Sequence, residues 1–397
     1  MYLKFSDMSE ESKMKRIKVM SLIWSMGDGG AQQVIINYLR DFCNDPDIEF
    51  KVYVYTKPTN SKYDKEIAEK GYNVVYLNNP RTRVQIPYIK RFFQNPVSKK
   101  TWMKAIGAYN PDIVHVHISA LLNATMPGIV KYNIPVRFDT LHSSPYRYKG
   151  RIKKIISNAF QHQNVIPVCV TEMQVEEAKE WYGITKYEIV RNGVDIEQIR
   201  KKCCSKHEGR IRFGIDDNSF VVIGVGRLNP IKKFDLLIEA FAKIHQVEDN
   251  SILIIAGDGE EKDRLIQLAQ KFGVGRYIKF LGNIVDTTKL YCAADVLAVT
   301  SDTESSSLVA IEAQTCGTRC VLSAGVPKES ILLTRTQRLK KNATSEEWCK
   351  ALLNDSYENA PIASVEDYEV HNMSKKMKEI YLKYYSVYEE NKNANTK

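Results

Sequence analysis

The chain carries no long hydrophobic run. Apolar stretches such as Ile252 to Ala256 and Val296 to Val299 fall far short of the ~20 residues a bilayer-spanning helix needs, so a transmembrane protein is not expected. The opening MYLKFSDMSEESKMKRIKV has no apolar core ahead of a cleavage motif, which argues against a secretory signal. Met14 directly precedes a basic–apolar strand, so residues 1–13 read as a loose extension or an alternative start. The pattern GxGxxG is absent, which weakens a dinucleotide-dependent dehydrogenase. The eight cysteines, Cys43, Cys169, Cys203, Cys204, Cys292, Cys316, Cys320 and Cys349, include no CxxC pair, and no histidine cluster completes a zinc site. They read as reduced thiols, several acting as small hydrophobes, in a cytoplasmic protein with no metal expected.

What is present is length, charge and a regular alternation. The 397 residues exceed what one core usually organises, and two domains are expected. A net charge of +10 points to anionic partners and says nothing of fold. Short β-rich runs alternate with helix-period segments: strands at 17–24, 50–56, 74–77, 112–117, 136–142 and 165–170, then at 221–226, 251–256, 277–281, 295–299 and 319–323. The segment 234–245 places Phe234, Leu237, Ile238, Phe241 and Ile244 on one helical face. This order predicts two doubly wound parallel sheets covered by helices. The break is placed at 194–215, where KKCCSKHEGR is polar and charged, and ligands are expected at the carboxyl ends of the strands.

Three segments have the chemistry of a site. Gly27-Asp28-Gly29-Gly30 follows the first strand; it reads equally as an ordinary glycine turn or as a close backbone approach to an anion at a helix start. Arg227-Leu228-Asn229-Pro230-Ile231-Lys232-Lys233 follows VVIGVG. Its cations suit a diphosphate, or else form a solvated basic loop. Glu304 closes the loop after strand 295–299, and Ser305, Ser306 and Ser307 are expected to open a helix carrying Leu308, Ile311 and Glu312. Its first N–H groups would suit phosphate. Carboxylates accept hydrogen bonds from sugar hydroxyls, and Glu312, between Ile311 and Ala313, fits poorly as a surface residue. His115 and His117 alternate with valines on one strand face and read as structural.

The ordered set of Gly-Gly turn, RNGVD, GxGRLxxxK with DLLIEAF, AGDGEEKDRL, FLG and E-x7-E with A-x-x-x-G resembles glycosyltransferase family 4 over roughly residues 16–340. LVAIEAQTCGTRCVLSAGVPKE is most similar to members that build bacterial capsule and exopolysaccharide. The resemblance implies the GT-B fold: two facing Rossmann-like domains, 1–194 for the acceptor and 195–371 for the nucleotide-sugar, with a C-terminal helix at 372–397 packing back on the first. It implies a retaining hexosyl transfer from a nucleotide diphosphate sugar, a UDP-sugar, to a saccharide or lipid-linked acceptor. The nucleotide-sugar is a co-substrate, and no cofactor is implied. Arg227 and Lys232 would hold the diphosphate, Glu304 the sugar hydroxyls and Glu312 the ribose. The backbone of Ser305–Leu308 would touch phosphate or sugar, and Gly282 and Asn283 would border the base. Gly29 and Gly30 would face the transferred group, and His142 would lie near the reacting sugar. One departure stands out. Glu304 is followed by three serines where the family usually has glycine and an aromatic residue. That keeps open a catalytically weak GT-B binding or scaffold subunit, and a nucleotide-sugar epimerase remains a further alternative.

Residues 81–110 and 143–164 hold basic residues and aromatics but no acid. Tyr88, Phe92, Phe93 and Trp102 in the first, and Tyr146, Tyr148 and Phe160 in the second, suit a membrane interface. The expected partner is an anionic membrane surface on the inner face of the cell membrane, with other polysaccharide-assembly enzymes, and not nucleic acid.

Overall fold

The computed structural model describes residues 16–27, 29–79 and 96–394. Its first series contains β1 (Ile17–Ile23), α1 (Gly30–Phe42), β2 (Ile48–Thr56), α2 (Lys62–Lys70), β3 (Val74–Asn79), α3 (Pro96–Tyr109), β4 (Ile113–Val116), α4 (Leu122–Lys131), β5 (Val136–Thr140), α5 (Gly150–His162), β6 (Val165–Cys169), α6 (Glu172–Tyr182) and β7 (Glu188–Ile189). The second contains α7 (Ile196–Lys202), α8 (Lys206–Phe213), β8 (Phe220–Val225), α9 (Phe234–Val247), β9 (Ser251–Ala256), α10 (Lys262–Lys271), β10 (Ile278–Gly282), α11 (Thr288–Ala293), β11 (Val296–Val299), α12 (Leu308–Thr315), β12 (Arg319–Leu322), β13 (Gln337–Arg338) and α13 (Ser345–Leu353), followed by α14 (Val370–Ala394).

The strands form a seven-stranded sheet, β3-β2-β1-β4-β5-β6-β7, and a six-stranded sheet, β10-β9-β8-β11-β12-β13. The strand pairs in both are parallel. Each order reverses beside its first strand, the doubly wound pattern whose switch point opens a crevice at the strand ends. The period-2 alternation shows in the core of the second sheet. Val222, Leu253, Ile255, Val296 and Val321 bury one face against Leu237, Phe241 and Trp348. Val221, Ile223, Ile254, Leu297 and Leu322 bury the other against Leu290, Ala310 and Ala313.

The chain divides into two compact units. One holds the described residues up to Asp139, with His162–Val165 and the chain from Tyr381; the other holds Thr140–Gln161 and Ile166–Ile380. In the first, His115 and His117 are fully buried. Their rings lie 4.2 Å apart, and His115 Nδ1 is 2.6 Å from the Tyr381 hydroxyl.

Three expectations need correction. The charged stretch read as a polar break folds as helix: Ser205 and Glu208 form a reciprocal capping box at the start of α8, a signal that charge composition masked. The serine-rich helix begins at Leu308, with Ser307 at its N-cap. Trp102, assigned to a membrane face, is fully buried and stacks on Tyr55 at 5.7 Å. The basic and aromatic residues at 81–95 lie outside the described residues. Among those described, no helix is long and apolar enough to cross a membrane.

Candidate functional site

The second sheet's switch point lies between β8 and β11. After β8, Gly226 takes a positive φ of 149°, and Pro230–Lys232 form a single 3-10 turn whose N-cap is Asn229. Proline at the first turn position and a side-chain cap from Asn229 to the Lys232 N–H define where Lys232 points. Its ammonium meets Glu304 Oε1 at 2.5 Å. The two side chains are 23% and 12% exposed, so the pair is shielded yet reachable. Ser301 Oγ donates to the same Glu304 oxygen at 2.7 Å.

Backbone contacts hold the two loops together. Thr300 Oγ1 donates to the Lys232 carbonyl at 2.8 Å. The Asp302 N–H donates to the Ile231 carbonyl at 2.8 Å, and the Glu304 N–H to the Gly325 carbonyl at 2.9 Å. A Cβ on Gly325 would sit 2.2 Å from the Asp302 carbonyl oxygen, so this close approach requires glycine. Lysine and glutamate, 72 residues apart, thus form one rigid constellation.

Gly282, at the end of β10, has φ 67°, and no atom would lie within 4 Å of an added Cβ. Asn283 follows it and is exposed. Both border open space at the strand ends. Arg227 directly follows Gly226 after β8. Its side chain is 72% exposed and reaches Glu260 at 3.7 Å, while Lys232 is drawn onto Glu304.

Glu312 lies on α12, half-buried, and accepts a hydrogen bond from the Tyr291 hydroxyl at 2.8 Å. Tyr291, on α11, is 1% exposed. Burial first, then the Glu312 charge, pushes its phenol well above the usual range, so it stays a donor. Ser305 and Ser306 lie in the loop before α12. The Ser305 carbonyl accepts from Thr171 Oγ1 at 3.3 Å. Ser307 is buried and makes no side-chain capping bond.

His142 lies two residues beyond β5 and is half-buried. Desolvation lowers its pKa to about 3, so the imidazole is neutral near pH 7. Gln174 holds the segment on either side. Its Nε2 donates to the Leu141 carbonyl at 2.8 Å and to the Ser143 carbonyl at 3.3 Å, and its Oε1 accepts from the Val170 N–H at 2.9 Å. Gln174, Ser301, Gly325 and Tyr291 were missed in the sequence; Gln174, Gly325 and Tyr291 act on partners distant in the chain, whereas Ser301 meets Glu304 only three residues on. In the other unit, Gly29 is the extended N-cap of α1, which begins at Gly30. Its φ of −173° is open to any residue, and an added Cβ at Gly30 would meet no atom within 4 Å.

Residues 29–198 match the family model described as Glycosyltransferase Family 4, and residues 205–359 match that described as Glycosyl transferases group 1. A D-inositol 3-phosphate glycosyltransferase of Mycobacterium sp. (strain KMS) is 33% identical over 167 residues, 40% of this chain and 37% of that relative. One from Salinispora arenicola (strain CNS-205) is 37% identical over 155 residues, 35% of each. These matches thus span little more than a third of the relatives' length. Among solved structures, Anabaena Alr3699/HepE in complex with UDP-glucose aligns with a TM-score of 0.75 at 20% identity, over 93% of this chain and 100% of that one.

Proposed function

We infer, for a chain that belongs to the glycosyltransferases of GT-B fold, that it moves a sugar from a nucleotide diphosphate sugar to an acceptor with retention. The observation that carries this reading is the Lys232–Glu304 pair at the β8/β11 switch point, 2.5 Å apart. An ammonium has three donors, so Lys232 can keep Glu304 and still bind an anionic oxygen. In this reading it stabilises the departing diphosphate, where charge develops as the sugar becomes oxocarbenium-like. Preplaced donors need no reorganisation and supply much of the rate. Arg227, exposed and only loosely paired, swings in to the same diphosphate. The backbone from Ser305 to Leu308 contacts phosphate or sugar. Glu304 accepts from sugar hydroxyls, Glu312 from the ribose, and Gly282 and Asn283 border a uracil. Neutral His142 donates to a sugar oxygen, and Gly29 and Gly30 leave room for the transferred group.

The acceptor in this reading is a saccharide or lipid-linked saccharide of a cell-surface polysaccharide, used by a cytoplasmic enzyme resting on the inner face of the membrane. The LVAIEAQTCGTRCVLSAGVPKE stretch supports it. The curated relatives favour a second reading, a phosphorylated cyclitol acceptor. A thermal-shift panel of nucleoside diphosphates and their sugars tests the donor, because a ligand at 100 times its Kd stabilises by about 2.7 kcal/mol. Stabilisation by UDP and a UDP-sugar is expected; no shift with any of them overturns the reading. Transfer to inositol phosphate and not to saccharide lipids would favour the second acceptor.

A further inference from the structure

We propose that Cys203, Cys292 and Cys316 form a thiolate site for a thiophilic divalent cation of the zinc class. Their sulfur atoms all lie within 4.8 Å of one another, and all three residues are half-buried. With Zn–S bonds of about 2.3 Å, sulfurs around one tetrahedral ion lie about 3.8 Å apart. Closing on an ion therefore asks each thiol for a shift of about 1 Å or less. Cys204, next in the chain to Cys203, interacts with Cys292 as well.

The three ligands come from three elements. Cys203 is the C-cap of α7, Cys316 is the C-cap of α12, and Cys292 is in the last turn of α11; these helices pack on one another pairwise. Helix C-termini carry unpaired carbonyls and partial negative charge. Their convergence opposes thiolates left alone and favours a cation among them. Soft sulfur ligands select zinc-class ions over magnesium or calcium. The absence of CxxC spacing does not exclude such a site, because the ligands converge in space and not in sequence.

All-sulfur ligation is the pattern of structural zinc sites, and three sulfurs leave a fourth position for Cys204 or solvent. Cys292 directly follows Tyr291, and Cys316 lies one helical turn beyond Glu312. A bound ion would therefore clamp α11 to α12 behind the Tyr291–Glu312 hydrogen bond. The metal site itself does not depend on the transferase reading.

The test uses the full-length protein, purified reduced and stripped with a chelator, then titrated with Co²⁺. A thiolate-to-cobalt charge-transfer band saturating at about one ion per chain is expected, displaced by Zn²⁺. Zn²⁺ should also raise the melting temperature and protect at least three thiols from a thiol reagent. Cys292→Ser and Cys316→Ser should each lose the band, whereas Cys349→Ser should keep it. Should the serine variants fail to fold, thiol protection and cobalt stoichiometry in the unaltered protein decide alone. Absence of the band there, its persistence in a folded Cys292→Ser/Cys316→Ser variant, or a disulfide joining two of the three cysteines in protein isolated without reductant would overturn the proposal.

Discussion

The Tyr291 phenol, almost fully buried, donates to the half-buried Glu312 carboxylate across 2.8 Å. The bond aims the carboxylate. Tyr291→Phe removes only the hydroxyl. Hydrogen bonds to charged groups contribute about 1.5–3 kcal/mol, so nucleoside diphosphate affinity should fall roughly tenfold, with little change in kcat at saturating donor. Glu312→Gln should weaken the nucleoside diphosphate itself, because the ribose belongs to donor and product alike, whereas Glu304→Gln should mainly affect the intact sugar nucleotide. Calorimetric titration of all three variants checks this; equal weakening of UDP by both glutamate variants would contradict the division of roles.

Lys232→Ala should cost far more activity than Arg227→Ala. The first removes a preplaced donor and strands the Glu304 carboxylate; the second removes a side chain that is 72% exposed. By analogy with a lost oxyanion donor, a loss of roughly 100- to 1,000-fold in kcat is expected for Lys232→Ala. Lys233 takes a left-handed φ of 53°, so Lys233→Gly should preserve activity and raise stability by up to about 1 kcal/mol. Steady-state kinetics and melting curves measure both effects.

For His142, the variant His142→Ala should lower turnover more than nucleotide affinity. Gln174→Leu removes three hydrogen bonds that hold the flanking backbone and should lower both turnover and melting temperature. A His142→Ala protein that melts early yet turns over normally would make the residue structural. Because the imidazole pKa is about 3, no activity transition near pH 6–7 should depend on it.

Asp139 is fully buried, and burial raises its carboxyl well above the usual range. In the unfolded chain the group ionises near ~4. Above that pH the unfolded state holds fewer protons than the native one, so stability falls as pH rises toward the folded pKa. Asp139→Asn should remove this slope, which approaches about 1.4 kcal/mol per pH unit. Melting curves from pH 5 to 8 should show the variant gaining on the unaltered protein as pH increases.

The helix α5 exposes Arg151 and Lys154, and Arg147 and Lys149 are exposed just before it. Two nearby aromatics are already engaged: Tyr146 packs on Trp181 at 5.1 Å and Phe160 on Tyr182 at 5.6 Å. Membrane docking here would thus be mainly electrostatic, about 1 kcal/mol per cation near anionic lipid. Sedimentation with anionic vesicles should be strong at low salt and lost at high salt. Changing Arg147, Lys149, Arg151 and Lys154 to Glu should abolish it while UDP still binds. Equal sedimentation with neutral and anionic vesicles would remove this mode.

Local physics made much of the architecture readable in the chain itself. Period-2 and period-3.6 patterns located strands such as Ser251–Ala256 and helices such as Phe234–Val247 to within a few residues, because burial on one face leaves a periodic trace. The structure then puts glycines of positive φ at 226, 257 and 282, at or just past the ends of β8, β9 and β10. Where several local solutions were equivalent, only the tertiary structure chose. Any of three adjacent serines can precede a helix, and α12 starts after the third. Trp102 suits a membrane interface or a core equally well by composition, and the packing of Tyr55 made it core. Convergence of distant side chains leaves no periodic trace, and only the family resemblance put Lys232 and Glu304 at one donor. Lys232 meets Glu304 across 72 residues, and Cys203, Cys292 and Cys316 gather from three separate helices. Such contacts depend on which sheet edge and which helix end meet in space, and a chain read one residue at a time carries no distance between them.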